Sequence, residues 1–475
     1  MVKIMHRIEI IQNGINRIIH AGNGEKLSSV LMKNGFSAEH PCGGKGVCKK
    51  CTVVVDGETQ LSCQYVINSD ITVVLPCEEE IFSFTGASES EKITENVCFA
   101  LDIGTTTLAL ALVSLDEKRI ISIITKANPQ RAFGADVMSR IEFCRKNGVK
   151  LLHEAIISAI NKMLSELLNE YDVSAEKLYV SGNTTMLHLF FGEDCASLGV
   201  SPYTPVFLDS RRVKASELSV KNVDEIISLP NISAFVGADI VAGLNYTGLP
   251  ETEKYNILVD LGTNAEVVLF SRKKILCTAA AAGPCFEGAN ISCGMSATQG
   301  AVYAYSSDKT ETIGNAPAKG ICATGLVDII AELMRDETID ETGYMDCEKF
   351  KISENVFISR EDIRQFQLAK SAVYSALISL MKTGNITFTD IEKVYIAGGF
   401  SEKLNIQNAI AVGLLPLELQ SKYITLNNTS LLGTVKFSCE KNDLSFINNA
   451  EYVDLAESPM FSELFIDNMM FSFYE

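Results

Sequence analysis

Two stretches decide the reading of this chain: FALDIGTTTLALALV at residues 99–113 and ILVDLGTNAEVVLF at residues 257–270. Each runs through apolar residues to Asp, one more apolar residue, Gly-Thr and a polar residue, then into a second apolar run. That is the pattern of a buried strand, a tight turn and a returning strand. Apolar strands alternating with long helical stretches surround both units, the layout of an α/β domain. Recurrence of the unit about 160 residues apart predicts two similarly folded halves with a cleft between them, and no short-period repeat competes.

The turns themselves carry chemistry. In Asp102-Ile103-Gly104-Thr105-Thr106-Thr107, backbone N–H groups and hydroxyls are available to phosphate oxygens, and the carboxylate can hold a metal ion through water or position a nucleophile. The partner Asp260-Leu261-Gly262-Thr263-Asn264-Ala265-Glu266 faces it, so that two hairpins can clamp a nucleotide's phosphates from both sides. A third segment, Val394-Tyr395-Ile396-Ala397-Gly398-Gly399-Phe400, is a strand running into two glycines, where a base or ribose can lie against bare backbone. Any one of these alone reads as an ordinary tight turn; the three in this order read as a nucleotide site.

The first eighty residues are different in kind. KIMHRIEII and GINRIIH read as a hairpin around Asn13-Gly14, followed by a helix at Lys26–Asn34, a strand at Thr52–Val55, an Asp56-Gly57 turn and a strand at Ile71–Leu75. Within this small β module stand Cys42, Cys48, Cys51 and Cys63, spaced C-x5-C-x2-C-x11-C, with glycines at 43, 44 and 46. Four thiolates can hold a [2Fe–2S] cluster in a three-plus-one arrangement of this kind. A structural zinc site usually uses two CxxC-like pairs, and only Cys48 and Cys51 make one. Cys77 reads as a bystander or a substitute ligand. Cys277, Cys285 and Cys293, spaced evenly by eight, have no ligand logic and read as structural thiols. The polar, acidic stretch CEEEIFSFTGASESEKITEN then has the composition of a linker. The expected divisions are 1–77 for the cluster module, 78–96 for the linker, 97–255 for the first lobe and 256–475 for the second. The C-terminal segment is free to return to the first lobe.

Composition narrows the function classes. The chain has 475 residues, and 41 Lys+Arg against 59 Asp+Glu leave a net charge of −18. Affinity for nucleic-acid backbones comes mostly from Lys and Arg, and anionic membrane surfaces repel such a chain, so neither partner is expected. No apolar run reaches the ~18 residues of a transmembrane helix, and MVKIMHRIEIIQNGIN lacks a signal peptide's apolar core. A cytoplasmic protein is expected, in which 14 cysteines do not form disulfides and clustered ones indicate metal or redox chemistry.

The order DIGTTT, DLGTNAE, AGGF resembles the phosphate-1, phosphate-2 and adenosine motifs of the acetate kinase, sugar kinase, heat-shock-70 and actin superfamily. With an iron–sulfur module ahead of it, the chain resembles the reductive activators of corrinoid proteins. Further segments are similar to that family: NPQRAFGADVMSRI at 128–141, SGNTTMLHL at 181–189, FVGADIVAGL at 235–244, AAGPCFEGANISCGM at 281–295 and GICATGLVDIIAEL at 320–333. The resemblance implies a ribonuclease-H-like two-lobed α/β ATPase behind a β-grasp ferredoxin-like domain. Two departures stand out: the linker and any middle domain look short, and only Cys439 follows Cys347, so an additional [4Fe–4S] module is not expected.

By the same resemblance, Asp102, Gly104, Thr105, Thr106 and Thr107 would form the first phosphate loop, with Asp102 near Mg²⁺. Gly262, Thr263 and Asn264 would face them beside Asp260, and Ala397, Gly398 and Gly399 would border the adenosine of ATP. Asp239 occupies the place of a catalytic base that would act on water; the competing role is a cap on the helix Ile240–Leu244. Cys42, Cys48, Cys51 and Cys63 would hold the cluster. The implied activity is ATP-dependent reduction of an inactive Co(II) corrinoid protein to Co(I). None of the five histidines stands in a D-x-H context, so the cobalt cofactor belongs to a partner. A low-potential electron donor completes the set, and a homodimer is the base-rate expectation. The rivals are a small-molecule kinase with a fused ferredoxin domain, an activator of 2-hydroxyacyl-CoA dehydratases, and an electron-transfer module with a degenerate ATPase.

Overall fold

In the computed structural model, residues 5–12, 15–34, 36, 44, 46, 51–75, 96–250, 252–307 and 309–471 are described. Cys42, Cys48, Cys77, the loop lysines and residues 78–95 of the expected linker lie outside them.

Strand β1 (Met5–Gln12) turns its Ile8 and Ile10 inward and pairs antiparallel with β2 (Ile15–Gly22). Helix α1 (Leu27–Lys33) buries Leu27, Val30 and Leu31, the i, i+3, i+4 set of a one-sided helix. The hairpin of β3 (Thr52–Val55) and β4 (Glu58–Leu61) turns at Asp56-Gly57, where φ is 49° and 88°, the left-handed pair such turns need. Strand β5 (Ile71–Val74) then runs parallel to β1 and antiparallel to β3. The resulting order β2-β1-β5-β3-β4 under one helix is a β-grasp sheet.

The first lobe begins with a three-strand meander of β6 (Val97–Ile103), β7 (Thr107–Ser114) and β8 (Arg119–Ala127). Every residue of β6 is buried, as a central strand covered on both faces requires. After α2 (Val137–Asn147) and α3 (Lys150–Tyr171), β9 (Lys177–Gly182) returns parallel to β6. Helix α3 has no side-chain cap at its N-terminus; its stripe of Leu152, Ile156, Ile160, Met163, Leu164 and Leu167 holds it, at roughly 1.5–3 kcal/mol per buried large side chain. Then come α4 (Thr184–Phe191), β10 (Arg212–Lys214), β11 (Glu225–Ser228) and α5 (Ala238–Thr247).

The second lobe repeats the plan with β12 (Tyr255–Leu261), β13 (Ala265–Phe270) and β14 (Ile275–Ala280). An inserted sheet of β15 (Ala301–Ser306), β16 (Lys309–Thr312) and β17 (Gly320–Ile321) precedes α6 (Ala323–Arg335). A ribbon of β18 (Lys349–Lys351) and β19 (Phe357–Ser359) leads into α7 (Arg360–Gly384), whose start is fixed by the Ser359–Asp362 capping box. Strand β20 (Ile391–Ala397) returns parallel to β12, followed by α8 (Ile406–Ala411), β21 (Tyr423–Thr425), α9 (Thr429–Glu440), β22 (Ala450–Tyr452) and α10 (Pro459–Asp467). The sheets read β10-β11-β9-β6-β7-β8 and β21-β20-β12-β13-β14-β22. The sequence repeat is thus a repeat of topology, and the architecture is the predicted α/β two-lobed ATPase fold with a β-grasp domain. Among the described residues no helix is long and apolar enough to cross a membrane.

Helices α5 and α9 join the two lobes. Ile240 and Leu244 of α5 pack on Leu258, Val268, Phe270 and Tyr395 of the second sheet, whereas Leu431 and Val435 of α9 pack on Ala100, Ala109, Ala111 and Tyr179 of the first. The helices meet where Gly433 has no side chain: a Cβ there would lie 1.8 Å from the Ala242 carbonyl oxygen. Asn245 Nδ2 donates to the Gly433 carbonyl at 2.9 Å, and Lys436 Nζ to the Asn245 carbonyl at 3.0 Å, stitching the crossing. In an ordinary helix interior Gly→Ala stabilises by about 1 kcal/mol. Here Gly433→Ala is expected to destabilise by roughly 1–3 kcal/mol through overpacking, read as a lowered melting temperature.

Candidate functional site

Strand β6 delivers Asp102 to the cleft, and Gly104–Thr106 turn into β7, so Thr107 is already in a strand. Asp102 is held from α9: its Oδ1 accepts from the Ser430 hydroxyl at 2.7 Å and its Oδ2 from Asn428 Nδ2 at 2.8 Å. Asn428 is also the N-cap of α9, its Oδ1 accepting from Leu431 N at 2.8 Å. Burial pushes the Asp102 carboxyl up, and these two hydrogen bonds pull it back.

Across the cleft, Asp260 sits directly opposite Glu266 in the β12–β13 ladder, a pairing of like charges that costs stability unless something neutralises it. The Asp260 carboxyl is pushed up to about 7, by burial first and then by Asp102. Asp239 is pushed up to about 8 by burial, with Asp260 and Asp102 adding to it. Burial, Asp239 and Asp260 likewise raise Glu266 well above the carboxylate range. Among the described residues no Lys or Arg offsets these three carboxyls. Asp239 stands in the first turn of α5 behind the N-cap Gly237 and accepts from Ile240 N at 2.9 Å; the helix starts before it, so it is not the cap. The Thr263 hydroxyl is buried without a partner. Carboxylates short of a cation, beside an unused hydroxyl, fit a metal-bound phosphate. Among the described residues no three His, Cys, Asp or Glu side chains form a ready-made metal cage.

Strand β20 brings Ala397 alongside Asp260. Gly398 has φ 108°, and a Cβ on it would strike the Leu261 carbonyl oxygen at 2.2 Å, so this glycine serves the approach of two strands. Gly399 alone faces open space, with nothing within 4 Å of a Cβ. Phe400 stacks on Phe286 at 5.4 Å, tying the Gly-Pro-Cys-Phe-Glu-Gly loop to this side of the cleft.

In the β-grasp module, Cys51 and Cys63 are buried with their sulfurs 3.2 Å apart. Burial pushes the Cys51 thiol up, so thiolate there is costly without a cation, and the pair fits two ligands of one metal centre. Gln64 Nε2 donates to the Gly44 carbonyl at 2.8 Å and to Cys63 Sγ at 3.5 Å, joining the glycine loop to a ligand sulfur. Cys277 and Cys285 lie in separate apolar clusters, with Cys293 packed against that of Cys285, and the even spacing makes no site.

Sequence reasoning had singled out Asp102, Asp239 and Asp260, which the fold brings into one electrostatic group. It missed Asn428 and Ser430, which orient Asp102, and Asn128, Arg140 and Asn183, which contact the first turn. The last three lie inside the segments quoted at 128–141 and 181–189.

Residues 254–474 match the C-terminal domain of RACo, the ASKHA domain, and residues 97–252 match the RACo middle region. The chain belongs to the RACo family. A 2Fe-2S iron-sulfur cluster binding domain matches residues 10–78. The chain is 28% identical over 441 residues to the corrinoid activation enzyme RamQ of Eubacterium limosum, covering 84% of this chain and 74% of RamQ. It is 26% identical over 412 residues to the Co(II) methylated amine-specific corrinoid protein reductase of Methanosarcina barkeri, covering 77% and 75%. A solved reductive activator for corrinoid, iron-sulfur protein superposes over 98% of both chains with a TM-score of 0.72 at 25% identity. The stretch matched by the RACo middle region, residues 97–252, carries the six-stranded sheet of the first lobe.

The raised carboxyls give a pH dependence of known sign. A carboxyl raised in the folded state stabilises the fold when protonated, and that contribution is lost as pH climbs from about 4 through about 7 for Asp260 and about 8 for Asp239. The melting temperature of the nucleotide-free protein is therefore expected to fall across this window without Mg²⁺. Asp260→Asn should flatten the slope, and a melting series from pH 5 to 8.5, spanning these values to about half a unit, checks it.

Proposed function

We propose that this protein is an ATP-dependent reductive activator that returns an inactive Co(II) corrinoid protein to Co(I). The observation that carries the reading is the joining, in one chain, of a buried cysteine pair in a β-grasp module and two facing Asp-Gly-Thr hairpins with uncompensated carboxylates. Two relatives, 28% and 26% identical to this chain, are named as a corrinoid activation enzyme and as a Co(II) corrinoid protein reductase.

In this reading residues 1–77 form the cluster module, 78–96 its linker, and 97–255 and 256–475 the lobes. Cys42, Cys48, Cys51 and Cys63 hold a [2Fe–2S] cluster, which when bound supplies one electron at a time. Asp102, oriented by Asn428 and Ser430, and Asp260 hold Mg²⁺ with ATP phosphates; the ion offsets their mutual repulsion. Thr263 donates its free hydroxyl to phosphate, while Gly262 and Asn264 complete that turn and Ala397, Gly398 and Gly399 border the adenosine. Asp239, whose carboxyl lies close to neutral pH, takes the proton of the attacking water.

Electron delivery alone does not suffice, because Co(II)-to-Co(I) reduction is uphill for ferredoxin-level donors. Both of the helices that join the lobes start in the phosphate site, α5 with Asp239 and α9 with Asn428, so nucleotide binding bears on the lobe angle. That closure is available to seat the corrinoid protein and change the ligation of its cobalt, which then accepts one electron per reduction. A cytoplasmic low-potential donor restores the electron, and a two-fold dimer is the expected assembly.

Separable losses test this division of labour. Cys51→Ser is expected to remove the cluster's visible absorbance and Co(I) formation while leaving ATP turnover. Asp260→Ala should lower ATP turnover at least a hundredfold and keep the cluster spectrum. Loss of both properties in either variant, with the fold intact, would contradict the proposal.

A further inference from the structure

We infer that Asn128 and Arg140 are positioning residues that aim the backbone N–H groups of Thr105 and Thr106 into the cleft, toward phosphoryl oxygen. The inference rests on the nucleotide reading above and adds two residues to it. In a planar trans peptide the C=O and the following N–H point in opposite directions. The Gly104 carbonyl accepts from Asn128 Nδ2 at 2.7 Å, which turns the Thr105 N–H away from Asn128. The Thr105 carbonyl accepts from Arg140 Nη2, which turns the Thr106 N–H away from Arg140. Among the described residues neither N–H makes a hydrogen bond. Asn183 Nδ2 meets the Thr105 hydroxyl oxygen at 3.1 Å, so this residue is held at its side chain as well.

Arg140 is built for this grip. It is fully buried, with 0% exposure, and among the described residues it makes no ion pair. Its Nε donates to the Gly134 carbonyl at 2.9 Å, and Nη1 to Gln130 Oε1 at 3.4 Å and to Met186 Sδ at 3.0 Å, leaving Nη2 for Thr105. A buried guanidinium spread over neutral acceptors costs desolvation, and here what it fixes is the loop's carbonyl. A planar fork reaches these acceptors together; a lysine ammonium cannot. The surrounding segment is shaped to deliver it. Gly134 lies so close that a Cβ would come within 2.8 Å of Arg140 N, and the Asp136–Ser139 capping box starts α2 one turn ahead of it. Asn128 has its own anchor, since its Oδ1 caps the following turn through Gln130 N at 2.9 Å.

Arg140 holds the loop at the Thr105 carbonyl, so its effect on phosphate is through the amide directions. Charge retention is therefore no substitute for the fork, which makes Arg140→Lys the discriminating variant. Asn128→Ser keeps a capping oxygen and removes the reach to Gly104. The full-length protein is titrated calorimetrically with ATP plus Mg²⁺ and, separately, with adenosine; melting temperatures confirm folding. The expected result is a loss of about tenfold or more in ATP affinity for each variant, about 1.4 kcal/mol, with adenosine affinity unchanged. ATP affinity at the wild-type level in both variants would overturn the positioning role alone, and so would equal losses for ATP and adenosine. A wild-type protein that binds no ATP would instead sink the nucleotide reading and this inference with it. If Arg140→Lys does not fold, Asn128→Ser decides the matter by the same comparison.

Discussion

The contact on which the rest depends is the crossing of α5 and α9 at Gly433, where backbone meets backbone because no side chain intervenes. Helix α9 packs on the first lobe's sheet through Leu431 and Val435, while α5 lies between the lobes, with Ile240 and Leu244 on the second sheet and Ala238, Val241 and Ala242 in the first lobe's core. Their N-termini carry Asp239 and the Asn428–Ser430 grip on Asp102, so the same two helices that join the lobes also position the cleft carboxyls. A close glycine crossing is stiff along the contact and permits rotation about it, which suits a hinge whose state is set by what the phosphate loops hold.

The second constraint is charge. A chain with net charge −18 buries a group of carboxyls in its cleft, which protons or a cation must neutralise, and the turns beside them present backbone amides and hydroxyls. Basic surface is not needed. Among the described residues of the first lobe the one fully buried arginine, Arg140, is used on uncharged acceptors, including the Thr105 carbonyl of the loop. In the β-grasp module the logic is similar: Cys51 and Cys63 are crowded and buried, and Gln64 reaches a sulfur from the side.

The two hairpins were legible because each is local. Strand, turn and strand follow one another in sequence, and their repetition about 160 residues apart announced the two lobes. The β-grasp elements were legible for the same reason. What supports the hairpins was not. Ser430 and Asp102 are 328 positions apart, and a single Ser or Asn carries no spacing signal for such a bond. Arg140 lies inside the quoted segment 128–141, but nothing in that stretch marks its bond to the Thr105 carbonyl, 35 positions away. Gly433, a glycine inside a helix of twelve residues, was the one available hint of a close crossing. Gly398 was read as room for a base or ribose, and its φ of 108° and close approach to Leu261 give it a second demand that the sequence does not show.

The central claim is that nucleotide in the cleft makes the partner's cobalt reducible by an electron from the cysteine module. The direct measurement follows the cobalt absorbance of a Co(II) corrinoid protein mixed with this protein, excess reductant and Mg²⁺, with and without ATP. The account expects Co(I) to accumulate with ATP and to stay near baseline without it. Co(I) formation at the same rate and extent in both mixtures, or none in either, would contradict it.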